Sequence, residues 1–264
     1  MRDAPEASHD PADGSEARST RSCVSGCKDE MMAGQGESEA ERGKWGAGEP
    51  GSLPTRVAKR QRRMMFQRFL DALGPTPDDT VLDVGVTNDR VHDHSNYFEA
   101  WYPHKSRVTA SGLEDASFLE QLYPGVRFVQ ANGLDLPFED ASYDFVHSSA
   151  VIEHVGSFSN QAAFLRELWR VARRGLFVTT PNRWFPIEAH TVMPLIHFLP
   201  PPTFRAILKM VGKDFFAQEE NLNLMSKGTL VEAARRAGIG DFRAETVSFF
   251  GWPSNVLLIA KKRG

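Results

Sequence analysis

The chain has 264 residues, 41% apolar and 25% charged, with a formal net charge of -3. That is enough mass to bury a core, and the near-neutral balance gives no global basic field of the kind nucleic-acid binders carry. No run approaches the apolar length of a membrane span, the first residues lack the basic start and apolar stretch of a secretory signal, and two cysteines cannot staple a disulfide scaffold. A cytoplasmic protein is expected.

Residues 1–52 read as a disordered tail: the first fifty carry 11 acidic and 6 basic residues and almost no Leu, Ile, Phe or Val, too little apolar surface to offset the entropy of ordering. Cys23 and Cys27 lie there without a second Cys/His pair to complete four metal ligands, and read as unpaired thiols. Residues 53–264 read as one domain. It opens with a basic amphipathic helix over 55–73, where Val57, Met65, Phe66, Phe69, Leu70 and Leu73 recur at near-helical spacing among six Arg and Lys residues. Such a helix can lie on an anionic membrane or dock a partner, so peripheral membrane contact stays open. A helix packed on the domain with a solvated basic face is the favoured reading. Gly74-Pro75 ends it.

Short apolar runs rich in Val and Phe follow at 80–84, 107–111, 126–130, 143–147 and 175–180. Between them a helix is predicted over 160–173, with Phe164, Leu168 and Val171 on one stripe and Ser159 or Asn160 as cap, and a weaker one over 117–123. Buried strands alternating with helices specify a parallel sheet covered on both faces. A last helix over 227–237 precedes strands at 242–250 and 255–262, joined by Gly251-Trp252-Pro253, a connection short enough to force an antiparallel hairpin. The expected fold is therefore α/β: a doubly wound, mostly parallel seven-stranded sheet with a terminal antiparallel hairpin.

Ligands of such sheets sit beyond the carboxyl ends of the strands, where strand order reverses. The first strand ends Val81-Leu82-Asp83-Val84-Gly85. Gly85 permits a sharp turn and close approach of a ligand, and Asp83 either pairs a cationic amine or stabilises the turn.

That segment, followed by Val108-Thr109-Ala110-Ser111-Gly112-Leu113-Glu114, by Gln130-Ala131-Asn132-Gly133 with Leu136-Pro137-Phe138, and by residues 142–146 running on to Val151-Ile152-Glu153-His154-Val155, resembles the class I S-adenosylmethionine-dependent methyltransferases of small-molecule type. The resemblance implies S-adenosylmethionine as cofactor. Gly85 would approach its methionine part, with Thr87 in the same loop, and Asp83 would help orient it. Glu114, with Asp115 close behind, would accept from the ribose hydroxyls, since Gly112 holds the family's usual acidic column. Asn132 would bond the adenine amino group, Gly133 and Leu134 would offer backbone to the ring, and Ser148 and Ser149 would line the site near the sulfonium. The family's second and third glycine columns are Thr87 and Asp89 here, so the loop is rebuilt.

Methyl transfer needs an in-line, dry arrangement, and a base only where the acceptor loses a proton. His154, His190 and Glu188 are the candidates, with His147 beside them. Glu153-His154 is similar to part of a metal-using pattern in quinone-type O-methyltransferases, but the acid expected three positions earlier is Ala150, so no metal is predicted. Residues 183–225 form an insertion rich in aromatic and aliphatic side chains, expected to be a helical cap or lid over an apolar acceptor pocket. The leading reading is a methyltransferase acting on a small molecule, O-methylation slightly favoured, with a hydrophobic acceptor where the lid forms the acceptor pocket. The alternative is a weak or inactive relative binding cofactor or a partner through the same cleft. No nucleic-acid partner is expected, and the absence of a Gly-x-Gly-x-x-Gly fingerprint disfavours a nicotinamide oxidoreductase.

Overall fold

The structure, a computed structural model, describes residues 52–90, 92 and 94–262. The expectations for residues 1–51, including Cys23 and Cys27, lie outside these. The first helix, α1 (Leu53–Leu73), starts at Ser52, whose side chain accepts from the Thr55 amide, and ends at Gly74 in the left-handed conformation. Seven strands follow: β1 (Val81–Val84), β2 (Val108–Gly112), β3 (Arg127–Gln130), β4 (Tyr143–Ser149), β5 (Ala172–Pro181), β6 (Phe242–Phe249) and β7 (Trp252–Lys261). They form one sheet in the order β3-β2-β1-β4-β5-β7-β6, with β7 alone antiparallel to its neighbours. The expected doubly wound sheet with its terminal hairpin is what forms.

Burial on both faces explains why the central strands read as continuous apolar runs rather than as alternating ones. Leu82, Val146, Leu176, Val178, Val256 and Leu258 face one core, which α4 (Phe158–Val171) and α6 (Lys227–Arg236) cover with Phe164, Leu165, Leu168, Leu230 and Ala234. Val81, Phe145, Phe177, Leu257 and Ile259 face the other, covered by Phe69 of α1, Phe98 of the short α2 (Tyr97–Trp101) and Leu119 of the short α3 (Phe118–Leu122). A large apolar side chain buried this completely contributes about 1.5–3 kcal/mol over leaving it exposed. Arg68 fixes α1 to β6 through a bidentate pair with Glu245, at 2.6 and 2.7 Å.

Several boundaries differ from the sequence expectation. The Asn160 amide is capped by Ser157, so α4 starts at Phe158. It stops at Val171 because Ala172 already pairs with Tyr143 in the sheet. Arg173 and Arg174, which extend the helical pattern in sequence, instead ion-pair with Asp144 and Asp79 at the start of β5. The hairpin turn is two residues, Phe250 and Gly251, both at positive φ as the mirror-image turn requires, and Trp252 already belongs to β7. Among the described residues the crossover from β1 to β2 carries α2 and a 3-10 turn over Lys105–Arg107, and those between Gly85 and Asn96 are not helical.

The segment 183–225 holds one regular helix, α5 (Pro201–Met210), and a single 3-10 turn over Ile196–Phe198. Around it Phe204, Leu208, Phe216, Ala217 and Leu222 form a small core of their own. Its two ends meet: Asn182 bridges Met225, and the Arg183 amide donates to the Met225 carbonyl at 2.8 Å.

Candidate functional site

Strand order reverses between β1 and β4, so the cleft expected of this fold opens at their carboxyl ends. The chain leaving β1 turns at once over β2: the amides of Gly85 and Val86 both donate to the Ser111 carbonyl, at 2.7 and 3.1 Å. Two glycines make this possible. Gly85 has φ +106°, and a Cβ there would lie 2.0 Å from Val151 Cγ2; a Cβ at Gly112 would lie 2.5 Å from the Val86 carbonyl oxygen. The usual acidic column thus holds glycine because the rebuilt loop presses against it.

The loop is knitted by its own side chains. Asn96 accepts from the Thr87 amide and donates to the Thr87 carbonyl, at 2.9 and 3.0 Å. Asp89 accepts from the His92 ring at 2.9 Å and from the Ser95 hydroxyl at 2.5 Å. The side chains of Asn96 and Asp89 therefore do the ordering.

Beneath the loop Asp83 is buried, its carboxylate accepting from His147 Nδ1 at 2.6 Å. With that proton on Nδ1, Nε2 accepts from the Tyr97 hydroxyl at 3.1 Å, and the Ser149 hydroxyl bonds the phenol as well. Burial pushes Asp83 up to about 7 and holds His147 down at about 3. Glu99, wholly buried beside Asp83, is raised well above the carboxylate range by burial and by its acidic neighbour. Tyr97 and Glu99 carry no sequence motif; the reduced crossover alone brings them under β1. Asp83 is thus the anchor of a buried polar chain as well as the acid at the strand end.

At the ends of β2 and β3, Glu114 is half-buried and makes no hydrogen bond among the described residues. Asp115 is exposed and accepts from the Ser117 amide at 2.9 Å, a turn just ahead of α3 that lowers its pKa. Asn132 accepts from the Leu134 amide at 3.0 Å, Gly133 packs against Phe164, and Leu134 packs on the core. Ser148 is buried and donates to the Val84 carbonyl at 2.8 Å, tying β4 to β1; Ser149 shares a hydrogen bond with Thr179 at 2.9 Å. A free carboxylate at the end of β2 and a half-buried hydroxyl at the end of β4 fit the ribose and sulfonium ends of S-adenosylmethionine.

The three acid–base candidates come together. His154, in the turn after β4, and His190, from the insertion, face each other with their Nε2 atoms 3.0 Å apart. Glu188 holds His190 Nδ1 at 2.8 Å and the His190 and Thr191 amides besides. Glu153 completes the group: one carboxylate oxygen accepts from Thr180 at 2.9 Å, and the other lies 3.9 Å from His154 Nε2 and 3.8 Å from His190 Nε2. Burial lowers His154 to about 3. Burial opposes charge on His190 and Glu188 too, but their mutual hydrogen bond wins, raising His190 and lowering Glu188 to about 2. Glu153 enters the sequence reading only as part of a motif; its partnership with His190 spans a segment with no periodic signal. His147, by contrast, belongs to the Asp83 chain.

The insertion beside this cluster exposes Trp184, Ile187, Val192, Leu195 and Leu199, and Trp252 of β7 donates to the Trp184 carbonyl at 2.9 Å. Among the described residues no helix is long and apolar enough to cross a membrane.

A family model described as a methyltransferase domain matches residues 82–179. A probable S-adenosylmethionine-dependent methyltransferase of Mycobacterium tuberculosis is 49% identical over 63 residues, 23% of this chain and 22% of that relative, so the match spans under a quarter of the relative's length. Among solved structures, Burkholderia thailandensis 1,6-didemethyltoxoflavin-N1-methyltransferase aligns with a TM-score of 0.53 at 16% identity, covering 79% of this chain and 81% of that one. A Mesorhizobium loti S-adenosylmethionine-dependent methyltransferase aligns with a TM-score of 0.52 at 16% identity, over 75% of this chain and 98% of that one. At these identities the structural likeness speaks for the fold.

Proposed function

We propose that the chain is a class I S-adenosylmethionine-dependent methyltransferase that transfers a methyl group from S-adenosylmethionine to a small-molecule acceptor, with oxygen as the methylated atom. The observation that carries the oxygen assignment is the convergence of Glu153 and His154, from the turn after β4, with Glu188 and His190, from the insertion. An amine acceptor needs no base when its lone pair is free, whereas a hydroxyl must lose its proton. The bound cofactor would supply a methyl group on a positively charged sulfur.

Glu114 would hold the ribose, Asp115 lying next to it, with Asn132, Gly133 and Leu134 along the adenine edge. Asp83 would orient the methionine end from below the Gly85–Thr87 turn, with Ser148 and Ser149 closing the floor. The histidine cluster would take the acceptor's proton. Exposed Trp184, Ile187, Val192, Leu195 and Leu199 next to Glu188 and His190 support an acceptor with an apolar body. The same proposal gives the insertion the role of lid and places the protein in the cytoplasm.

The knitted 85–96 loop favours one competing reading, a weak or inactive relative whose loop fills the methionine end. Calorimetric titration of the full chain with S-adenosylmethionine, and separately with a nicotinamide dinucleotide, decides between them. Micromolar binding of the sulfonium alone, weakened in Glu114→Ala, is expected. No heat with either ligand rejects the transferase reading in favour of the inactive relative.

A further inference from the structure

The hydrogen bonds around His154 and His190 fix where their ring protons sit. His154 Nδ1 faces the Asn221 carbonyl at 2.6 Å and His190 Nδ1 faces the Glu188 carboxylate at 2.8 Å. Both partners only accept, so both Nδ1 atoms donate, and in the neutral rings each Nε2 presents a lone pair. Those lone pairs point at one another across 3.0 Å. The second oxygen of Glu153, wholly buried and without a hydrogen-bond partner, faces the same point. Three acceptors gathered in a dry pocket repel one another unless a proton or a metal cation lies among them.

The spacing says which kind of cation fits. For separations of 3.0, 3.8 and 3.9 Å, a point equidistant from the three atoms lies about 2.1 Å from each, within the span of about 2.0–2.2 Å at which zinc binds imidazole nitrogen and carboxylate oxygen. The surroundings match as well. Ligating histidines commonly donate their other N–H to a carboxylate or a backbone carbonyl, and ligating carboxylates are themselves hydrogen-bonded. Glu188, Asn221 and Thr180 fill those three places. The frame is rigid: the Asn223 amide donates to the Glu153 carbonyl at 2.7 Å, and Asn223 is held in turn by Gln161 and bound to Gly156.

We propose that Glu153, His154 and His190 bind a divalent transition-metal ion of the zinc class, leaving an open coordination position for an acceptor oxygen. The third ligand comes from the insertion, which is why Ala150 in the sequence motif does not forbid the site. The metal site stands on the geometry; the role of its open position rests on the methyl-transfer reading. With the metal in place both Nε2 lone pairs are used, so the metal replaces the histidines as the means of deprotonation: the acceptor hydroxyl bound there gives its proton to solvent, the oxygen lone pair forms the new C–O bond, and the sulfur keeps the electrons of the broken C–S bond.

The test uses the full chain carrying Cys23→Ser and Cys27→Ser, so that neither thiol supplies a ligand, after removal of metal with a chelator. Cobalt(II) titration followed by visible absorption should saturate at about one equivalent, and zinc should displace the cobalt. His190→Ala and Glu153→Gln should each weaken binding by roughly tenfold or more. S-adenosylhomocysteine binding, measured on the same metal-free protein, separates the two readings. Cobalt binding without it keeps the metal site and sinks the transferase reading. S-adenosylhomocysteine binding without cobalt, or cobalt binding unchanged in His190→Ala, overturns the metal site and leaves a shared proton between the imidazoles.

Discussion

Gly85 tests whether the first turn is kept for packing or for the ligand. Replacing it with Ala sets a Cβ 2.0 Å from Val151 Cγ2 and 3.1 Å from Val151 Cβ, at a φ of +106° that side-chain-bearing residues rarely adopt. Backbone strain of this kind costs about 1–3 kcal/mol, and overpacking adds about 1–3 kcal/mol. In a domain of this size each kcal/mol lowers Tm by about 2–4 °C, so Gly85→Ala should lose at least about 4 °C in differential scanning calorimetry without ligand. Val151→Ala in the same chain removes both methyl groups in the way. It should recover the overpacking part and leave the backbone part, giving a favourable coupling of about 1–3 kcal/mol in a double-mutant cycle. A Gly85→Ala chain that melts within about 1 °C of wild type yet no longer binds S-adenosylhomocysteine would refute the packing argument and assign the glycine to the cofactor.

Asp83 has a raised pKa in the fold, about 7 against an ordinary 3.8, through burial. The folded state therefore holds a proton that the unfolded chain has lost, and its contribution, complete below about pH 4, fades as pH rises through 7. His147, depressed by burial, works in the opposite direction and costs stability as pH falls below about 6.5. Asp83→Asn should remove the loss on the alkaline side, seen as a flatter dependence of urea midpoint on pH from 4 to 7; an unchanged slope counts against the buried carboxyl. Glu114 and its neighbour should separate cleanly: Asp115→Ala should leave both Tm and cofactor affinity nearly unchanged, since its bond to the Ser117 amide is exposed, while Glu114→Ala should weaken S-adenosylhomocysteine by roughly tenfold or more with Tm unchanged. Weakened binding in Asp115→Ala with Glu114→Ala unchanged would exchange their roles. Arg68 and Glu245 are partly exposed, so their double-mutant coupling should stay near or below about 1 kcal/mol and shrink with added salt; a coupling of several kcal/mol would show that α1 depends on this pair.

The sheet is legible in sequence because burial on both faces leaves its mark as apolar runs, and because Gly, Pro and Ser stand at the ends of most elements. The helix pattern continuing through Ala172 misleads, since an arginine pair on a strand edge looks the same as one on a helix flank until its acidic partners are located. The cofactor side is partly legible: Gly85 and Asp83 stand where the motif puts them, but Asp83's engagement with His147 and Glu99 depends on a crossover that has lost most of its helix. The histidine cluster is legible only as three separate residues. His190 is 36 positions from His154, and nothing local in either segment announces the other.

The neck at Asn182 and Met225 has an evolutionary consequence. Since both ends of the 183–225 segment meet at one point beside β5, the segment can lengthen, shorten or be exchanged whole without altering the reach between the fifth strand and the last helix. Loop-closure entropy rises only slowly with length, and its inner apolar cluster travels with it. On the proposed reading, acceptor preference would drift as a cassette while the strand ends that would hold the cofactor stay under separate constraint. A transplanted cassette would carry His190 and Glu188 with it, and would need Glu153 and His154 waiting in the host.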